Sequence, residues 1–177
     1  IGEKAAAFPE IVKSIVERGH SVENHTYRHP HAFAFFGMFK LRREIEAAQA
    51  VIGGISGRAP LFFRAPAGFR SPLLDPVLAA CGLRYVSWTR RGYDAVRRNP
   101  SQILQSLTRN LAAGDVLVLH DGTQARTTEG VPVVLAVLPR LLEHLAAHGL
   151  KSVALPAACG DHRIPTLAGA AAQHATA

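Results

Sequence analysis

Cysteine is scarce in this 177-residue chain: Cys81 and Cys159 are the only two, too few for a disulfide framework. Cys81 ends the apolar stretch Leu78-Ala79-Ala80-Cys81 and reads as a buried thiol. No apolar run approaches the roughly 18 residues of a membrane span, so no integral membrane segment is expected in these residues. No block of five or more like charges occurs either, although Lys and Arg total 20 against 13 Asp and Glu. The resulting +7 is scattered through Arg42, Arg43, Arg90, Arg91, Arg97 and Arg98. That is a generally basic surface and not a nucleic-acid-binding tract, and it suits attraction to an anionic polymer or membrane surface. Aspartate is absent before Asp75. What is present is a globular profile, 48% hydrophobic and 19% charged, in a length that suits one domain with a sizeable core.

Hydrophobic spacing alternates between helical and strand periods. Ile11, Ile15 and Val16 predict a helix from Pro9 to Arg18, stopped by Gly19, with a short strand over Ser21 to Asn24. The stripe Leu41, Ile45, Ala48, Ile52 predicts a helix from Phe39 to Ile52, ended by Gly53-Gly54. Leu61 to Arg64 reads as a strand entering a Pro/Gly loop, Leu74 to Ala80 as a short helix, and Leu83 to Trp88 as the next strand. A helix over Pro100 to Ala112, with Ser101 near its start, leads to a buried strand at Val116 to Leu119. The strongest helical pattern is Val133 to His148, with Val134, Leu138, Leu141 and Leu145 on the core side, and Lys151 to Leu155 is a final strand. The domain is thus 1–159, and the Ala-rich 160–177 lacks periodicity and reads as a frayed tail. Strands alternating with helices imply a parallel sheet of βα units, with functional residues at the C-terminal strand ends.

Chemistry-bearing residues fall at those ends. In His25-Thr26-Tyr27-Arg28-His29-Pro30, two imidazoles stand four residues apart. A helical turn would put both rings on one face, and Pro30 would end it. Neutral imidazole is the commonest protein metal ligand. Arg64, Trp88 and His120 close three later predicted strands, so a shared site is expected from position alone. The same histidine spacing recurs at His144 and His148 without a strand-end partner, which shows how cheap the spacing is by itself.

Three later segments turn this pattern into a resemblance. Phe63-Arg64-Ala65-Pro66-Ala67-Gly68, Val86-Ser87-Trp88 with Asp94, and Leu117-Val118-Leu119-His120-Asp121 follow the histidine pair in order. Together they resemble the NodB-homology polysaccharide deacetylases, carbohydrate esterase family 4, from about Ile1 to Pro156. The resemblance implies an α/β fold, an irregular and incomplete (β/α) barrel with its first strand missing. It implies a metal-dependent hydrolase removing acetyl groups from N-acetylated oligo- or polysaccharides.

By the same resemblance His25 and His29 bind a divalent metal, zinc first on ligand grounds, with iron, cobalt or nickel also compatible. His120 is the general acid, and Arg64 positions a catalytic aspartate. Asp94 orients Arg64 or tunes His120, although Val96 stands where the family has Trp. Leu119 lines the acyl pocket, Trp88 gives a sugar ring a flat surface or fills core, and Pro66 and Gly68 shape the substrate loop. The family's opening strand ends in two aspartates, the base and the third ligand. No counterpart precedes Asp75, and the chain starts at Ile1 without Met, so it reads as an inactive, N-terminally truncated fragment. Two alternatives stay open: a saccharide-binding barrel without turnover, and a hydrolase of another non-peptide C–N bond. Cytoplasm and cell envelope both remain open as its location.

Overall fold

Apolar spacing becomes helix wherever it persists for two turns. In a computed structural model, which describes residues 1–122 and 125–160, the helices are α1 (Gly2–Ala7), α2 (Pro9–Glu17), α3 (Met38–Ser56), α4 (Leu74–Ala80), α5 (Pro100–Thr108), α6 (Val133–Ala147) and α7 (Leu155–Ala158). Four two-residue strands accompany them: β1 (Phe62–Phe63), β2 (Arg84–Tyr85), β3 (Arg90–Arg91) and β4 (Leu117–Val118). The chain packs as two units, 1–87 with the segment from Val153, and 88–152. The predicted tail at 160–177 falls, beyond Gly160, outside the described residues.

In the first unit β1 pairs with β2 in parallel, and Asn24 adds an isolated parallel bridge to Phe63. The predicted Ser21–Asn24 strand is therefore reduced to one bridging residue. Leu41 and Ile45 of α3 pack with Phe33, Phe63, Leu74 and Val77 in one core. A second core joins Ala5 of α1 and Val12 of α2 to Ala48 and Ile52 of α3. Gly53 and Gly54 do not stop α3, which runs on to Ser56 and ends at Gly57 in the left-handed region, φ 70°. Interior glycine costs only about 1 kcal/mol per residue, and burial of Ile52 with Ile55 alongside outweighs it.

The second unit pairs β3 with β4 in parallel under α5 and α6. Asn99 caps α5, its Oδ1 accepting from Ser101 N at 2.9 Å and Gln102 N at 3.4 Å. The buried stripe of α6 is Val133, Val137, Leu141 and Leu145, and Leu138 is exposed. The predicted stripe was right in the second half of the helix and one residue out of phase in the first. Lys151 to Leu155 forms no strand. Leu155 opens α7, with Pro156 in the first turn, where its missing N–H is no loss.

Candidate functional site

The histidine pair sits at the C-terminal end of the first sheet, because Asn24 bridges Phe63 and His25 follows it. No helical turn forms from His25 to His29. The rings are nonetheless adjacent, centroids 4.8 Å apart and edge to face. A loop does this, with Thr26 at φ 65° and His29 at φ 56°. Pro30 does exclude right-handed α geometry at His29, but the residue takes the left-handed region instead of the extended one.

Two residues that the sequence reading passed over build that loop. Asn24 is 1% exposed. Its Nδ2 donates to Ile45 O and to Gln49 Oε1 on α3, both at 2.9 Å, and its Oδ1 accepts from Thr26 N at 3.0 Å. Buried Thr26 accepts His29 N on its Oγ1 at 2.9 Å. The N-terminus of α1 closes over the far side, Gly2 N and Glu3 N donating to Thr26 O and Tyr27 O at 2.9 Å each. A Cβ at Gly2 would lie 2.6 Å from Tyr27 Cδ2, so this close approach requires glycine. The available signal was an Asn beside an apolar strand end, the composition of a turn that folds onto its own backbone.

His25 Nδ1 lies 2.7 Å from Arg64 O. A carbonyl can only accept, so Nδ1 carries the proton and Nε2 keeps a lone pair. Burial, with His29 alongside, pushes the His25 pKa down to about 4, which keeps the ring neutral and competent as a ligand at neutral pH. His31 lies next in line, its ring 6.1 Å from that of His29. Among the described residues no group of three or more His, Cys, Asp or Glu could hold a metal ion. His25 and His29 thus fit two positions of such a site, and the described residues supply no third.

Arg64 leads into the turn Pro66–Gly68, where Ala67 has φ 54° and Gly68 φ 78°. Pro66 is buried, consistent with a loop-shaping role. The Arg64 guanidinium donates to Ser87 O at 3.3 Å, while its buried Nε has no partner. Burial also lowers its pKa, a mark of a cation held without full compensation.

In the second unit Asp94 is 0% exposed and serves His120 with both oxygens. Oδ2 accepts His120 N at 2.6 Å, and Oδ1 lies 3.0 Å from Nδ1. His120 is one of the two partners expected for Asp94, and within this unit the carboxylate contacts it. Leu119 packs against the Ile103–Val137 core. Trp88 is half-buried with the Arg91 guanidinium 5.5 Å from its ring, and Tyr93 lies under Arg91 and Arg97 at 4.8 Å each. His144 and His148 stack on each other with His148 Nδ1 held by His144 O at 2.8 Å, as a helix end requires.

A cavity of about 340 Å³ in the first unit is lined by His20, Glu23, Arg58 and Leu61 among others. These residues precede the strand positions that His25 and Arg64 follow, so it lies at the opposite end of the sheet. His20 faces this cavity and not the histidine pair.

Comparison with known proteins adds a family to this geometry. A family model described as polysaccharide deacetylase matches residues 1–86. The chain is 32% identical over 123 residues to a chitooligosaccharide deacetylase of Azorhizobium caulinodans, covering 69% of this chain and 58% of that one. It is 28% identical over 159 residues to a peptidoglycan-N-acetylglucosamine deacetylase of Bacillus cereus, covering 88% and 55%. Among solved structures it is similar to a family 4 carbohydrate esterase from Streptomyces lividans in complex with acetate. There the TM-score is 0.76 at 33% identity, over 85% of this chain and 73% of that one. The chain spans a little over half the length of the curated relatives it matches.

Proposed function

This chain belongs to the polysaccharide deacetylase family, and from that membership we propose that it carries the acid and the paired imidazoles of a hydrolase acting on N-acetylated saccharides. In the reaction water adds to the acetyl carbonyl carbon, the C–N bond breaks, acetate leaves, and the freed amine takes up a proton. His120 supplies that proton from Nε2. The observation that carries this reading is the Asp94 pair: a buried carboxylate on Nδ1 fixes the tautomer and aims the ring.

His25 and His29 are proposed to hold a divalent ion such as zinc, which when bound supplies Lewis acidity to the acyl oxygen and the attacking water. Arg64 is proposed as a positioning residue for a carboxylate, a role supported by its buried Nε without a partner. That carboxylate, the proton acceptor for water, lies outside the described residues in this proposal, as does a third ligand. Leu119 is assigned to the acyl pocket, and Trp88, Pro66 and Gly68 to the saccharide.

The test is acetate release from N-acetylated chito-oligosaccharides by a longer in-frame form loaded with zinc. His120→Ala should lower turnover about 10²–10⁴-fold while leaving zinc bound, the usual worth of a general-acid step. If the folded, zinc-loaded protein is inert on these and on other amide substrates, a saccharide-binding role replaces the hydrolase.

A further inference from the structure

Aromatic side chains are concentrated where this fold does not bury them. Four of the 8 phenylalanines fall within residues 33–39, directly after the histidine loop. Phe33 is buried, its ring 5.6 Å from that of Phe63, and Phe36 packs partly against the same core. Phe35 and Phe39 are 90% and 93% exposed, and Met38 is 47% exposed. Phe35 closes a short 3₁₀ turn and Met38 and Phe39 open α3, whose buried stripe begins only at Leu41. The three side chains therefore form a projecting apolar corner that does nothing for the monomer's core.

Cations surround this corner. Lys40 Nζ sits 3.7 Å from the Phe36 ring centroid. Arg42 and Arg43 follow Phe39 at three and four residues, on the same helix face. The Glu44 carboxylate is engaged by the Arg28 backbone N–H at 2.9 Å. Glu46 is engaged by Arg42 at 2.7 Å. We propose that Phe35, Met38 and Phe39 insert into the interfacial layer of an anionic membrane surface, with Lys40 and Arg43 on its phosphate headgroups. Exposed phenyl and thioether groups beside long basic side chains are the composition of an interfacial anchor. A second copy of the chain fits poorly, because it would set one cationic rim against another and the chain carries +7 overall. Docking in this way would bring the His25–His29 loop, a few residues upstream, to the headgroup layer. The proposal does not depend on the hydrolase reading.

Flotation of the 177-residue chain with vesicles tests it. The chain should float with phosphatidylcholine–phosphatidylglycerol vesicles and not with phosphatidylcholine alone. Phe35→Ser/Phe39→Ser should weaken partitioning by about tenfold per ring, and Lys40→Gln/Arg43→Gln by about fivefold per charge at low salt. Phe35→Ser/Phe39→Ser should not move the urea midpoint, since both rings are exposed, and Lys40→Gln/Arg43→Gln should move it only slightly, through loss of the Lys40 contact with the Phe36 ring. In Phe35→Trp the added indole should shift its emission to the blue on mixed vesicles, a readout independent of the double variants. No flotation, no blue shift, or flotation unchanged by Phe35→Ser/Phe39→Ser overturns the proposal. So does a loss, in that variant, of chito-oligosaccharide binding or of dimerisation with vesicle binding intact.

Discussion

Asp94→Asn should change the chemistry around His120 while keeping the shape of the side chain. Asp94 is 0% exposed and accepts two hydrogen bonds from one residue, the backbone N–H at 2.6 Å and the ring Nδ1 at 3.0 Å. Asparagine offers one acceptor and one donor, so one of those two partners must meet an N–H. The backbone N–H cannot change its role, but the ring can. The imidazole should therefore move its proton to Nε2 and turn a bare Nδ1 to the amide. What is lost is the charge assistance of a buried carboxylate with no water to replace it, about 2–3 kcal/mol. For a chain of this length about 1 kcal/mol corresponds to about 2–4 °C, so the thermal midpoint should fall by about 4–12 °C. Two-bond ¹H–¹⁵N correlation spectra read the tautomer directly, with Nδ1–H expected in the parent and Nε2–H in the variant. A parent carrying its proton on Nε2 would refute the reasoning. So would a variant that keeps both the Nδ1 proton and the parent's midpoint.

Two further outcomes test the first unit. Burial raises the Glu23 carboxyl above its ordinary 4.5, against the N–H groups of Leu61 and Phe62 that donate to it at 2.8 and 2.9 Å. A raised carboxyl favours the fold while protonated, so its contribution is complete below the ordinary value and is lost as pH rises through the folded-state value. Glu23→Gln should remove that decline, and urea midpoints with the same pH slope in parent and variant would show that Glu23 is not its source. Zinc should bind this chain weakly, since two neutral imidazoles bring no charge and no third ligand. Calorimetric titration should find that weak binding gone in His25→Ala; nanomolar affinity surviving the substitution sinks the ligand assignment.

Sequence periodicity located α2 to α6: in α3 the predicted stripe Leu41, Ile45, Ala48 and Ile52 is the buried one, whereas in α2 Val12 is buried and the predicted Ile11 is 58% exposed. Its errors fall where tertiary contacts overrule local preference. Gly53 and Gly54 look like a stop, yet Ile52 is buried beyond the energetic reach of two glycines. Lys151 to Leu155 looks like a strand from its apolar content, but strand identity depends on a pairing partner that local sequence does not specify. β3, by contrast, is two arginines, Arg90 and Arg91, with no apolar signal. The site was legible as residue types and less so as connections. His25 reaches Arg64 O across 39 positions, and Asp94 reaches His120 across 26. No spacing rule spans such gaps, and so the tautomers they fix could be read only from the folded chain.

Left-handed backbone explains the remaining mismatch at the histidine pair. Among the described residues, the non-glycine positions with positive φ are Thr26, His29, Ala67, Tyr93 and Asn110. Four of them adjoin a candidate functional residue: two in the ligand loop, one between Pro66 and Gly68, one just before Asp94. Each such conformation costs about 1–3 kcal/mol and persists only where its surroundings hold it. At Thr26 the hold is the Asn24 side-chain Oδ1 accepting its N–H, and at His29 it is the Thr26 hydroxyl accepting the His29 N–H. At Tyr93 the ring lies under two guanidinium groups, and the next residue is locked to His120. A helical turn would have set the histidines four apart at no such cost. It would also have removed the bend by which Thr26 O and Tyr27 O receive the N-terminus of α1. Strain in the loop and closure of α1 onto it are therefore linked, and the rings meet at 4.8 Å through that linkage and not through helical spacing.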